Sequence, residues 1–319
     1  MTTSAAADLE PDTDPDLWPD VCVVVPTRSR PELLPGTLAA IRAQDYAGRV
    51  RVVVVFDQTE PDRTLELDDG TRAVDVITNV RTPGLAGARN SGILACTGTY
   101  VAFCDDDDRW HPGKLTAQVH ALQAEPRAVL STCGIRILYD GTTVDRPLDR
   151  TRVTLRDLLR SRLTELHPST FLLVRDRLVA EVGLVDEQIP GSYAEDYEFL
   201  LRAARVHPVV NVPEVLVDVL WHQRSYFASR WDTIATALTW LLERYPEFES
   251  EPAGKARVLG QIAFAHAAKG DRRAAARSAL QTARLNPREG RAYLALAVAS
   301  RAVGPDKVLA ALHRRGRGI

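Results

Sequence analysis

Residues 100–110 read Tyr100-Val101-Ala102-Phe103-Cys104-Asp105-Asp106-Asp107-Asp108-Arg109-Trp110, and no other stretch limits the fold so tightly. A short apolar run that breaks into four consecutive acids is the pattern of a buried strand carrying carboxylates to the rim of a sheet. Side chains alternate along an extended backbone, so Asp105 and Asp107 are expected on one side and Asp106 and Asp108 on the other. Adjacent carboxylates repel unless a cation or a proton lies between them, and a hard divalent ion, Mg2+ or Mn2+, is the ordinary solution. Such ions keep open positions for waters and phosphate oxygens. An acidic turn that only solvates a strand end is the alternative; the apolar strand before and Trp110-His111-Pro112 after favour a site for a metal and a diphosphate.

The stretches before this run alternate in period. Residues 21–25 are a β-branched run ending at Pro26-Thr27-Arg28, and residues 31–44 carry Leu33, Leu34, Leu38 and Ile41 at helical spacing. Residues 50–56 and 74–77 read as two more buried strands, ending at Asp57 and Asn79. Residues 84–96 are rich in small residues and read as a loop entering a helix. Strand and helix in alternation imply a Rossmann-like, mostly parallel sheet with right-handed crossovers, in which ligands bind outside the carboxyl ends of the strands. Thr27, Arg28, Asp57, Asn79 and Asp105 all fall at such ends. Each singly is a turn or cap residue; together they describe a nucleotide pocket. Residues 84–92 resemble a phosphate loop only loosely, lacking its Lys-Ser/Thr ending, and Arg89 suits a phosphate contact or an exposed position equally.

Past the acids the alternation breaks down. A helix is expected over residues 112–125, a strand over 128–138 with a hairpin at Tyr139-Asp140-Gly141, a helix over 154–161 and a strand over 171–174. A mixed sheet and an acceptor-facing half follow. His167, at the entry to the last of these strands, is structural by default. Ser192 and Glu195 have capping-box spacing, which starts a helix there with Glu195 reaching back to the cap. Asp196 then lies at the edge of the Tyr197, Leu200, Leu201 and Ala204 stripe. It is either an acid favoured by the helix dipole or a partly buried general base whose pKa burial raises against nearby cations.

Forty Lys and Arg against 42 Asp and Glu leave a net charge of -2, so no global field recruits nucleic acid. Cys22, Cys96, Cys104 and Cys133 lack metal-type spacing and read as small core residues in a reducing compartment. Residues 1–20, rich in Ala, Asp and Pro, read as a disordered tail without the features of a signal peptide, and no apolar run is long enough to span a bilayer. From about residue 228 the pattern is helical. Gly270-Asp271 and Gly304-Pro305 recur at a spacing of 34 residues, which suggests a short tetratricopeptide-type array from about residue 253, and an ordinary helical cap fits nearly as well. Two helix pairs cannot easily stand alone, so they are expected to pack on the rest of the chain or on a second subunit.

On these residues the chain resembles the family 2 glycosyltransferases, inverting enzymes of the GT-A fold. Residues 23–28 look like the opening strand and nucleotide loop, and residues 87–92 are similar to the family's Ala-Arg-Asn-x-Gly segment. Residues 103–110 resemble its Asp-x-Asp metal motif, and Glu195-Asp196 its Glu-Asp pair. The resemblance implies an α/β GT-A domain over residues 21–227, with a nucleotide-sugar-binding half at 21–111 and an acceptor half at 112–227, then a helical region at 228–319. It implies Asp196 as catalytic base, and Pro26, Thr27, Arg28, Asp57, Arg89 and Asp105 around the nucleotide. Asp105, Asp107 and His222 would hold Mg2+ or Mn2+, and Trp110, His167 and Glu195 would face the acceptor. Asp57 is followed by Gln58-Thr59-Glu60 rather than the family's common Asp-Gly-Ser, a departure at the donor contacts. The donor implied is a nucleotide-diphospho-sugar, a UDP-sugar first. The acceptor is a glycan, lipid-linked glycan, natural product or peptide, met in the cytoplasm or at the inner face of the membrane. The C-terminal helices offer a route to a homo-oligomer. Nucleotidyltransfer onto a sugar phosphate is a competing reading, but residues 26–31 lack its Gly-rich, basic loop; a helical-repeat scaffold with a degenerate nucleotide domain is another.

Overall fold

The computed structural model of the chain describes residues 18–221 and 230–313. Up to the acidic run the order is β1 (Val21–Thr27), α1 (Leu34–Arg42), β2 (Val50–Phe56), β3 (Leu67–Asp68), β4 (Arg72–Thr78), α2 (Leu85–Ala95) and β5 (Tyr100–Phe103). Then follow β6 (Arg109–Trp110), α3 (Lys114–Gln123), β7 (Leu130–Tyr139), β8 (Thr142–Arg146), β9 (Arg152–Val153), α4 (Leu155–Arg160), β10 (Leu172–Val174), α5 (Arg175–Arg177), α6 (Glu195–Val206) and β11 (Val209–Leu220). The C-terminal part is α7 (Trp231–Arg244), α8 (Pro252–Ala268), α9 (Arg272–Leu285), α10 (Gly290–Ala299) and α11 (Pro305–His313).

One sheet runs in the order β3-β4-β2-β1-β5-β10-β7-β11-β6, with β8 beside β7 and β9 on β11. β4, β2, β1 and β5 are parallel. β10 is inserted antiparallel between β5 and β7, which is where the expected loss of alternation takes effect. Helices cover both faces, so the central strands are apolar on both sides. Val21, Val23 and Val25 pack with Leu34, Leu38 and Ile41 on one face, while Cys22 and Val24 pack with Ala88 and Ile93 on the other. The small residues of α2 let it lie close to β1: a Cβ at Gly92 would sit 2.2 Å from Val24 Cγ1, and one at Gly87 1.8 Å from the Thr82 carbonyl oxygen.

That close approach overturns the reading of the cysteines as four free thiols. Cys22 of β1 and Cys96 just after α2 form a disulfide, 74 residues apart in sequence, with Cα atoms separated by 5.7 Å. Cys104 and Cys133 are free and buried. The hairpin at residues 139–142 forms as expected, with Asp140 at φ 48 and Gly141 at φ 73.

The helical region shares the main core. Val258, Ile262 and Ala265 of α8 join Leu238, Leu241, Tyr245 and Phe248 in the same apolar cluster as Phe199 and Leu200 of α6. α8 lies against α4 at Gly254, where a Cβ would meet the Leu159 carbonyl oxygen at 1.9 Å. α9, α10 and α11 pack over a smaller core of Ala275, Ala279, Ala292 and Ala295 with Phe264 and Val308. No described helix is long and apolar enough to cross a membrane.

Candidate active site

β5 ends at Phe103, and the acids that follow turn away from the sheet before β6, so the expected side-to-side alternation does not apply. Each carboxyl has its own setting. Asp105 accepts from Arg89 Nη2 at 2.7 Å, and its N–H donates to Ser169 Oγ at 2.9 Å. Asp106 accepts from Thr27 Oγ1 at 2.7 Å and from Arg30 Nη1 at 3.0 Å. Asp107 takes the same Arg30 nitrogen at 2.6 Å. Asp108, 1% exposed, accepts from the Ser169 hydroxyl and the Leu220 N–H, with His167 Nδ1 3.3 Å away.

Two guanidiniums, Arg30 and Arg89, therefore face four carboxyls in this turn. Burial pushes Asp107 up to about 7, with repulsion from Asp105 adding and Arg30 opposing. Burial also raises Asp106, and it carries Asp108 well above the carboxylate range with Asp105 and Asp107 adding to it. Crowded carboxyls that prefer protons are a set that a divalent cation would relieve. Asp105, Asp108 and His167 can each offer a ligand atom within 4.8 Å of the other two. Burial holds the His167 imidazole below its usual value, which keeps a nitrogen lone pair available. These residues fit a hard divalent ion with oxygen and imidazole donors.

Facing the turn is the start of α6. The expected capping box is absent: the helix begins at Glu195 behind Ala194, a left-handed residue at φ 62, and no side chain caps it. Thr154 and Asp157 form a capping box instead, at α4. Glu195 is engaged elsewhere. Glu195 is buried and forms an ion pair with Arg89, whose guanidinium is 2% exposed and also holds Asp105. Burial raises Glu195, with Asp196 and Asp105 adding and Arg89 opposing. Asp196 behaves in the reverse way. Burial alone would raise it, but Arg162, Arg89 and His167 outweigh burial and hold it below the usual carboxylate range. Its carboxylate forms an ion pair with Arg162 and accepts from the Tyr197 N–H at 2.7 Å. The raised pKa considered for Asp196 is thus corrected in sign.

Both acid sets open on one cleft of about 1010 Å³, lined also by Pro26, Thr27, Arg28 and Asp57. Asp57 is 5% exposed and accepts from Asn79 Nδ2 at 2.8 Å and the Gly84 N–H at 3.1 Å, so it fastens the loop that leads into α2. Asn90 acts one turn further on, donating to Glu187 at 2.6 Å and exchanging hydrogen bonds with the Val185 backbone. Trp110 departs from its expected acceptor-side position. It is 3% exposed, donates from Nε1 to the Ser169 carbonyl at 2.9 Å, and is covered by Lys114 Nζ 3.8 Å from its ring centroid. His222 lies outside the described residues.

Sequence reasoning missed Arg30, Arg162 and Arg257. Arg30 sits in the loop after β1 and could have been read with Arg28. Arg162 and Arg257 reach the cleft from distant elements, and nothing in their local sequence marks them.

A parallel sheet edge that joins a carboxylate turn to a second acid pair across one cleft is the architecture of a transferase working on nucleotide-sugar donors. The model of Glycosyl transferase family 2 matches residues 22–182, half of the chain, and the chain belongs to that family. It is 25% identical over 244 residues to the amylovoran biosynthesis glycosyltransferase AmsB of Erwinia amylovora, covering 69% of this chain and 75% of that protein. It is 27% identical over 99 residues to the Escherichia coli UDP-Glc:alpha-D-GlcNAc-diphosphoundecaprenol beta-1,3-glucosyltransferase WfgD, 31% of this chain and 39% of that one. S. aureus TarS, solved with UDP-GlcNAc, superposes with a TM-score of 0.60 at 17% identity, over 93% of this chain and 92% of that one. The Pyrobaculum calidifontis mannosyltransferase PcManGT, solved with GDP-Man and Mn2+, gives 0.53 at 21% identity, over 95% and 81%. At these identities the two structures speak to the fold, which is GT-A.

Proposed function

We propose that this family 2 glycosyltransferase moves a sugar from a nucleoside diphosphate, a UDP-sugar first, to an acceptor nucleophile with inversion, and that Asp196 is its general base. One observation carries the reading: the acidic turn and the Glu195-Asp196 pair open on the same cleft from opposite elements. The nucleotide lies against Pro26, Thr27, Arg28 and Asp57. Arg89 does not touch the donor in this reading; it fixes Asp105 and Glu195 in place. Asp105 and Asp107 would hold Mg2+ or Mn2+, with Asp108 and His167 close behind, and the ion would offset negative charge on the departing diphosphate. Asp196 takes the proton of the acceptor as it attacks the face opposite the leaving group. Arg162 keeps that carboxylate ionised and aimed. The helix pairs of α8 to α11 are a tetratricopeptide-like annex, and the exposed Leu280, Tyr293 and Leu296 suit contact with a second copy.

Calorimetry with UDP and GDP, each with Mn2+ and with EDTA, tests the donor side. UDP is expected to bind at least tenfold more tightly with Mn2+. Equal affinity in EDTA would remove the metal from the reading, and absence of nucleotide binding under any condition would remove the donor.

A further inference from the structure

Arg257, in the first turns of α8, is a buried cation without a counter-ion among the described residues. Its side chain belongs to the helical region, yet it lines the cleft together with Gln261 of the same helix. The residue is 9% exposed. Its polar contacts are neutral: Nη2 donates to the Tyr197 hydroxyl at 2.9 Å and Nη1 to Gln261 Oε1 at 3.4 Å. Nε is buried with no hydrogen-bond partner. The Tyr197 hydroxyl in turn donates to the Leu158 carbonyl at 2.6 Å, so its own proton is committed elsewhere.

The neighbouring arginines sharpen the contrast. Arg162 and Arg257 lie over the same Tyr197 ring, 5.2 and 5.5 Å from its centroid. Arg162 is paired with Asp196, and Arg291 with Glu289 at 2.8 Å. No carboxylate is paired with Arg257 among the described residues. A buried guanidinium without a charge partner costs several kcal/mol in a fold, so the position is costly unless something anionic meets it. The donor diphosphate is assigned to the acidic turn, and Tyr197 directly follows the proposed base.

We propose that Arg257, with Gln261 beside it, forms an oxyanion subsite for the acceptor, so that the enzyme glycosylates an acceptor carrying a phosphate or carboxylate near its nucleophile. The inference rests on the glycosyltransferase reading of the same cleft. It gives the helical region a part in substrate recognition, where the sequence suggested packing or contact with a second subunit. Planar bidentate recognition of oxyanions is what a guanidinium supplies and an ammonium does not.

The test uses the full chain saturated with UDP and Mn2+, titrated with glycerol 3-phosphate, glycerate and glycerol, with calorimetry and melting temperature as readouts. Saturation with UDP is itself the check on the donor reading, and the anion titrations are repeated without nucleotide so that they can be read if that step fails. Both anions, or one of them, are expected to bind while glycerol does not; which one binds separates a phosphate-bearing from a carboxylate-bearing acceptor. Arg257→Met should weaken anion binding at least tenfold, leave UDP affinity within twofold, and raise the melting temperature of the ligand-free protein because an unpaired buried charge is gone. Arg257→Lys keeps the charge without the fork, and should fold and bind with an intermediate affinity. The proposal is overturned if glycerol binds as well as the anions, if neither anion binds, or if Arg257→Met retains wild-type anion affinity. A lowered melting temperature in Arg257→Met with unchanged anion binding would make Arg257 a structural tie to Tyr197.

Discussion

The guanidinium of Arg89 and the carboxylate of Glu195, 106 residues apart, meet as an ion pair with side-chain exposures of 2% and 5%. The pair joins α2 to α6 and so ties the parallel part of the sheet to the element that carries Asp196. Replacing Arg89 by Met alone leaves the buried Glu195 and the partly exposed Asp105 without their cation, and should cost about 3–5 kcal/mol. Adding Glu195→Gln to Arg89→Met should recover part of that loss. Urea unfolding of the two single variants and the double variant reads the coupling; simple additivity would mean that the pair contributes nothing to the fold.

Glu187 supplies a second tie, and this one depends on pH. Burial alone would raise its carboxyl, but hydrogen bonds from Thr82, Asn90 and Arg81 outweigh it and pull it down to about 2. A depressed folded value contributes stability that is present above the ordinary carboxylate value of about 4.3 and is lost as pH falls toward about 2. Glu187→Gln should therefore cost about 1–3 kcal/mol at neutral pH and flatten the acid limb between those values. Melting curves at pH 7, 4 and 2.5 decide it: parallel loss in wild type and variant across the series would rule the tie out.

The parallel part of the sheet was legible because its signals are local. Apolar runs ending in Thr27, Asp57 and Asp105 give the strands and their cleft-lining ends directly, and the mixed sheet after the acids was expected from the loss of alternation. What was not legible depends on contacts between distant elements. Ser192 and Glu195 carry the spacing of a cap, but Arg89 competes for Glu195, and a buried charge pair outweighs a surface cap. The Cys22–Cys96 bridge follows from α2 lying on β1 over Gly92, which spacing in sequence does not express. Arg257 is one arginine in an Arg-rich chain until the fold places it under Tyr197.

The acids of the turn should separate into ligands and supports. Asp107 and Asp108 both line the cleft, but Asp107 has a side-chain exposure of 12% whereas Asp108, at 1%, is held by the Ser169 hydroxyl and the Leu220 N–H. Asp107→Asn is expected to lose the Mn2+-dependent gain in UDP affinity, tenfold or more, with little change in melting temperature. Asp108→Asn should instead lower stability by about 1–3 kcal/mol through its buried hydrogen bonds. If Asp108→Asn abolishes the Mn2+ response while Asp107→Asn keeps it, the ion is held by Asp105, Asp108 and His167 alone.

Asp196→Asn is expected to leave donor affinity within twofold and lower transfer by about a hundredfold or more, the scale for losing a positioned general base. Arg162 and the Tyr197 N–H fix different oxygens of the Asp196 carboxylate, and an amide oxygen can still accept from the Tyr197 N–H, so the start of α6 should survive the change. What the amide cannot do is take a proton. Because Arg162, Arg89 and His167 hold Asp196 low against burial, the base stays ionised above about pH 4, and no limb of the transfer profile between pH 5 and 8 should come from it. Glu195, which burial raises, would place such a limb in that range if it were the base. Glu195→Gln then serves as the control: it should lower stability by breaking the Arg89 pair and leave the shape of the pH profile unchanged. If Asp196 only favours the helix dipole, its amide variant loses about 1 kcal/mol or less and turns over at near wild-type rate. Turnover, donor affinity and the pH profile measured on these two variants separate the roles, and a transfer rate in Asp196→Asn within threefold of wild type would assign the base elsewhere.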